Sequence, residues 1–166
     1  MVQVRVAAVA LDAAQQHVVL LKPIDELPGQ GRLLPIWIGA QEASSILVAV
    51  EGAEVPRPLA HDLMRGLLEA SGADVTQVEV ARIEDGTFFA EVTLATEQGR
   101  RVVDARPSDA VALASRVGAP IWVADAVMDE AGMDDNVTED ETDEDVAARL
   151  EEFRDFLDEV EPDDFR

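Results

Sequence analysis

Between Asp74 and Ala105 the chain reads DVTQVEVARIEDGTFFAEVTLATEQGRRVVDA, and no other stretch limits its fold so tightly. Apolar and polar residues alternate on both sides of Asp85-Gly86, a pair suited to the positive φ angles of a two-residue hairpin turn. A second turn at Gln98-Gly99 completes a three-stranded meander. An antiparallel sheet is therefore the frame into which the remaining segments must fit.

Residues 2–11 and HVVLLK (17–22) alternate as two further strands joined by DAAQQ. A loop carrying Pro23, Pro28, Gly29 and Gly31 leads to a third strand, LLPIWIG (33–39). QEASSILVAVEG then reads as a helix closing near Gly52. After PRP (56–58), LAHDLMRGLLEAS places Leu59, Leu63, Leu67 and Ala70 at the spacing of one buried helix face, and Gly72 stops it. A helix from Pro107 to Val117, apolar around most of its circumference, ends at Gly118-Ala119-Pro120 before the short strand IWV. Three strands and GAQEASSILVAVEGA thus echo three strands and ARPSDAVALASRVGA, with Glu42 aligned to Asp109. The pattern predicts an α+β fold: a mainly antiparallel sheet with packed helices, built by internal duplication of a three-strand-plus-helix unit.

Charge divides the chain. The net charge is −22, but residues 1–124 hold 10 Lys/Arg against 16 Asp/Glu, whereas residues 125–166 hold 3 against 19. MDDNVTEDETDEDV is too densely acidic to bury itself. The expected organisation is a folded domain over 1–130, an acidic disordered linker over 131–145 and an acidic amphipathic C-terminal helix over 146–166. Val146, Leu150, Phe153, Leu157 and Val160 form the apolar face of that helix. The absence of cysteine rules out disulfides and thiolate chemistry. No apolar run approaches membrane-spanning length, and the N-terminus reads as a strand rather than a signal peptide, so a cytoplasmic protein without membrane contact is expected.

Three clusters could carry chemistry. In DARPSD (104–109), Pro107, Ser108 and Asp109 suit the first turn of a helix, where a carboxylate complements the dipole. Asp104 and Arg106 either pair with each other or leave Arg106 and the helix N-terminus as an anion site. In PRPLAHDLM, His61, Asp62 and Arg57 combine a proton carrier, a metal ligand and a phosphate clamp, although Asp62 also suits a helix cap. Glu42 and Asp109, as repeat mates, would supply paired carboxylates for a hard divalent cation if the two units meet. No glycine-rich phosphate loop, serine elbow or dinucleotide fingerprint occurs.

Four segments, LPIWIGAQEA (34–43), PRPLAHDLM (56–64), DGTFFAEV (85–92) and DARPSDAVALASRVGAPIWV (104–123), together resemble the bifunctional nuclease family over about residues 2–130. The resemblance implies hydrolysis of phosphodiester bonds in DNA and RNA. It marks His61, Asp62, Asp104 and Asp109 as catalytic candidates and Arg57, Arg106 and Ser108 as substrate-binding ones. Glu42, Asp62 and Asp109 are the candidates for holding Mg2+ or Mn2+, and no organic cofactor is expected. Transient binding of nucleic acid and assembly into a homo-oligomer follow as expectations, the latter from weakly charged strands such as VRVAAVAL. The alternative is a non-catalytic interaction or regulatory module that engages a protein partner through the acidic C-terminal helix.

Overall fold

In the computed structural model the chain folds in the order β1 (Val2–Leu11), β2 (His17–Pro23), β3 (Arg32–Ile38), α1 (Ala40–Glu51), α2 (Ala60–Ala70) and β4 (Asp74–Glu84). It continues with β5 (Thr87–Thr96), β6 (Gly99–Ala105), α3 (Pro107–Val117), β7 (Ile121–Val123), α4 (Asp125–Ala131) and β8 (Met133–Asp134). The structure describes residues 1–135, together with 147–148, 151–152 and 155. Most of the expected C-terminal helix and of the expected linker lie outside the described residues.

The β4–β5 hairpin turns on Asp85 and Gly86 at φ 49° and 72°, the left-handed pair that a tight hairpin requires. Among the described residues the strands form one eight-stranded sheet in the order β6-β5-β4-β7-β1-β2-β3-β8. Every pairing is antiparallel except β4 with β7. The fold is therefore α+β with a mostly antiparallel sheet. One meander, β1-β2-β3, precedes α1, and the other, β4-β5-β6, precedes α3. The meanders flank β7 in opposite directions, since β1 runs antiparallel to β7 and β4 parallel to it. α1 and α3 pack against each other over the sheet. Between them lies the main core, including Leu21, Leu34, Ile46, Val78, Val80, Val111 and Val123.

Three expectations change. Leu59, Leu63 and Leu67 of α2 are exposed rather than buried, as is Ala70. α2 packs on α3 through His61 and the half-buried Leu68, which leaves its leucine row without a partner among the described residues. β1 is no sheet edge, because it lies between β7 and β2; its low charge reflects an interior strand. Finally, the ordered body runs past residue 130. α4 and β8 were not foreseen, and the buried Lys22–Asp135 ion pair, joined by the Gly29 amide, ties residue 135 to the loop after β2.

Candidate functional site

α1 and α3 begin side by side, and their first turns carry homologous acids: Glu42 is the third residue of α1, and Asp109 the third of α3. Arg106, the residue before α3, reaches both. Its Nε donates to Asp109 Oδ2 at 2.8 Å, and its Nη2 donates to Glu42 Oε1 at 3.0 Å. The expected Asp104–Arg106 pair is thus replaced by a bridge between the two helix N-termini. Asp104 sits exposed on β6, with no ion pair among the described residues.

His61 enters the same network from α2. Its Nε2 lies 2.9 Å from Asp109 Oδ1, and its Nδ1 lies 2.7 Å from the Ser45 hydroxyl of α1. In the neutral ring, Nε2–H donates to the carboxylate and Nδ1 accepts from the serine. The His61 side chain is only 7% exposed, Asp109 25% and Arg106 66%. The open end of the network is therefore Arg106 and Asp109, while His61 is the buried anchor.

The charges reinforce one another. Burial works against the Asp109 carboxylate, but hydrogen bonds from Arg106 and His61 outweigh it and hold the group below the usual aspartate range. The Asp109 hydrogen bond and charge, followed by Glu42, raise the Arg106 guanidinium above its ordinary value. Asp62 stands apart, turned toward α3. Burial opposes its ionisation, yet the Leu59 amide and Arg116 depress its pKa. Asp62 Oδ2 accepts from the Leu59 amide and Oδ1 from Arg116 Nε, each at 2.8 Å. Asp62 therefore serves as the helix cap that its position allowed. Arg116 is almost wholly buried, and its Nη2 has no hydrogen-bond partner among the described residues.

Beside the two N-termini opens a cleft of about 680 Å3 lined by Gly39, Ala40, Arg106, Pro107, Ser108 and Phe88, among others. Ser108 is 7% exposed, and its hydroxyl makes no hydrogen bond among the described residues. His17, at the start of β2, lines the same cleft, and it shares the helix-facing side of the sheet with the core residues Val19 and Leu21. Arg57 is exposed between α1 and α2 and has no ion pair among the described residues. It does not line the cleft.

The structure thus brings together Glu42, His61, Arg106 and Asp109, with Ser108 adjoining. It leaves Arg57 and Asp62 on separate surfaces, while Asp104 shares with Asp109 the lining of the groove between β6 and α2. Ser45, Arg116 and His17 were not anticipated. Ser45 has no local signal inside an amphipathic helix, and Arg116 pairs with Asp62 only because α2 crosses α3. His17 stood out only as one of two histidines. As placed, the donors do not make a cation cage. Among the described residues no group of three or more His, Asp or Glu could hold a metal ion, and the carboxylates already face guanidinium groups.

This is an α+β domain whose buried polar network joins three helices at the mouth of a cleft. The model of the bifunctional nuclease domain matches residues 19–136, and the chain belongs to that family. An uncharacterised protein of Mycobacterium tuberculosis is 42% identical over 170 aligned positions, covering 99% of this chain and 98% of that protein. Bifunctional nuclease 1 of Oryza sativa subsp. japonica is 29% identical over 115 positions, covering 68% of this chain and 34% of the plant protein. Bifunctional nuclease 2 of Arabidopsis thaliana is 28% identical over 113 positions, covering 66% and 33%. No helix among the described residues is long and apolar enough to cross a membrane.

Proposed function

We propose that the chain is a nuclease of the cytoplasm that hydrolyses phosphodiester bonds in DNA and RNA at the cleft beside α1 and α3. One observation carries the reading: in a bifunctional nuclease domain, Arg106, Asp109, His61 and Glu42 converge from three helices onto two adjoining helix N-termini. There a phosphate meets the free N–H groups of the first turn of α1, the amide and hydroxyl of Ser108 and the exposed side of Arg106; Pro107 has no N–H, and the Asp109 amide already donates to the Arg106 carbonyl. Asp109 is the base for an attacking water; it is a quarter exposed, on the side of the neighbouring groove toward β6. His61 is its positioning residue, fixed in turn by Ser45. Glu42 and Asp109 already balance the Arg106 charge, so binding is weak and transient, resting on a few phosphate contacts. Dependence on Mg2+ or Mn2+ is proposed as a separate property, read by chelation with EDTA and re-addition of each metal.

The equivalent placing of Glu42 and Asp109, each third in a helix that follows a meander, supports reading the two halves as a duplication. A second functional reading, a non-catalytic interaction module, is favoured by one feature: the clustered acids are all paired, as a scaffold requires. The deciding experiment measures cleavage of single-stranded RNA and of DNA by purified wild type, Asp109→Asn and Ser108→Ala. The nuclease reading expects Asp109→Asn to lose activity by about 10²–10⁴-fold with its fold retained. Cleavage equal to that of wild type would leave the scaffold reading.

A further inference from the structure

The sheet ends differently on its two sides. At one margin β8 is two residues long and follows β3 only at Arg32 and Leu33. At the other, β6 pairs with β5 along all seven of its residues, Gly99–Ala105, with no bulge. Its outer edge carries no strand among the described residues. Edge strands are normally shortened, bulged, interrupted by proline or charged to prevent pairing; β6 uses only the last device, at Arg100, Arg101 and Asp104. Val102 and Val103, at its centre, are both exposed.

The sequence of β6 is complementary to itself. Two copies joined edge to edge in antiparallel fashion are related by a twofold axis normal to the sheet, so residues facing each other must lie on the same face. An axis through Val102, the middle residue, overlaps the whole strand. It sets Val102 against Val102 of the partner subunit, Arg100 against Asp104 of the partner subunit, and Asp104 against Arg100 of the partner subunit. Arg100, Val102 and Asp104 share the face turned from the helices, because Val103 pairs with the core residue Val92 on the other. Moving the axis to Val103 would put Asp104 against valine, and moving it to Arg101 would oppose two arginines. Only the central register pairs opposite charges.

The helix side continues the same surface. Met64 and Leu67 of α2 line an apolar groove of about 460 Å3 with Val103, Asp104 and Leu113. Leu63 and Leu67 extend it outward as the exposed row left by α2. We propose that this chain forms a twofold homodimer in which two β6 strands pair about Val102, extending the sheet across the seam and bringing both α2 faces to it. The surface is continuous, self-matching in charge and apolar at its centre, and its occupant is a second copy of the chain.

The test is the oligomeric state of the full chain by sedimentation equilibrium, with circular dichroism as the check on folding. Wild type is expected to be a dimer. Arg100→Asp and Asp104→Arg should each raise the dimer dissociation constant by about tenfold or more, since each sets like charges opposite one another twice. The double variant Arg100→Asp/Asp104→Arg should recover the wild-type constant, because it restores both cross-strand pairs in reverse. A monomer at about 100 µM would overturn the proposal. So would single variants that dimerise as well as wild type, or a double variant that stays as weak as its parents.

Discussion

Replacing Asp109 with asparagine keeps the shape of the side chain and removes its charge, so it isolates what that charge does for the three-helix junction. In the wild type, one carboxylate accepts from Arg106 Nε at 2.8 Å and lies 2.9 Å from His61 Nε2. Asparagine has one acceptor oxygen and one donor amide, so with the ring proton on Nε2 it satisfies only one of these partners; both are kept only if His61 shifts that proton to Nδ1, toward the Ser45 hydroxyl. Leaving a largely buried donor unpaired costs about 1–3 kcal/mol. Losing an acid from the first turn of α3 costs roughly 0.3–1 kcal/mol. The exposed half of the Arg106 pair adds about 0–1 kcal/mol, since solvent screens it. The total is about 1–5 kcal/mol at neutral pH, which for a chain of this size lowers Tm by roughly 3–15 °C. The sign of the pH dependence follows from the depressed Asp109 pKa. The advantage of the wild type is fully present above the ordinary aspartate value of about 3.9 and fades as pH falls through the lower folded value. Urea unfolding of both proteins at pH 7 and near pH 3 measures this difference. Equal stability at pH 7, or a gap that persists undiminished in acid, would refute the assigned role of the charge.

Two further perturbations test the junction and the staple at the end of the described body. Ser45→Ala leaves the buried His61 Nδ1 without its hydroxyl partner, and a loss of about 1–3 kcal/mol in urea unfolding is expected. Lys22→Met strips the buried Asp135 of its cation and should cost about 3–5 kcal/mol, whereas Lys22→Met/Asp135→Leu should recover most of that stability, both read by thermal melts.

Much of the architecture was legible because its causes are local. Alternation around Asp85-Gly86 settles the second meander without reference to the rest of the chain. The glycine at 118, at φ 70°, ends α3 where the apolar run stops. α4 and β8 were missed because their residues lie at the start of the acidic stretch, where composition argues against burial. Val127, Met128 and Ala131 of α4 enter the main core, and the contact with Arg32 and the Lys22–Asp135 pair secure the residues after them. The leucine row of α2 misled for the opposite reason: periodicity shows that a helix has an apolar face, but not what that face meets.

The candidate site divides along the same line. The first turns of α1 and α3 were visible as helix starts bearing acids, since capping and dipole effects act within a few residues. That a single guanidinium joins Glu42 to Asp109, and that His61 pairs with Asp109 and Ser45 rather than with a neighbour in PRPLAHDLM, depends on how α2 and α3 cross. Helix crossing is set by packing between residues 48 and 64 positions apart in the chain, a distance over which no local pattern carries information. Local pattern sufficed for β1 to β7, for α1 to α3 and for the polar residues that begin those helices, but not for α4 and β8. Tertiary structure alone decided which of those residues share a pocket, because side-chain contacts across helices follow from the buried interface and not from order along the chain.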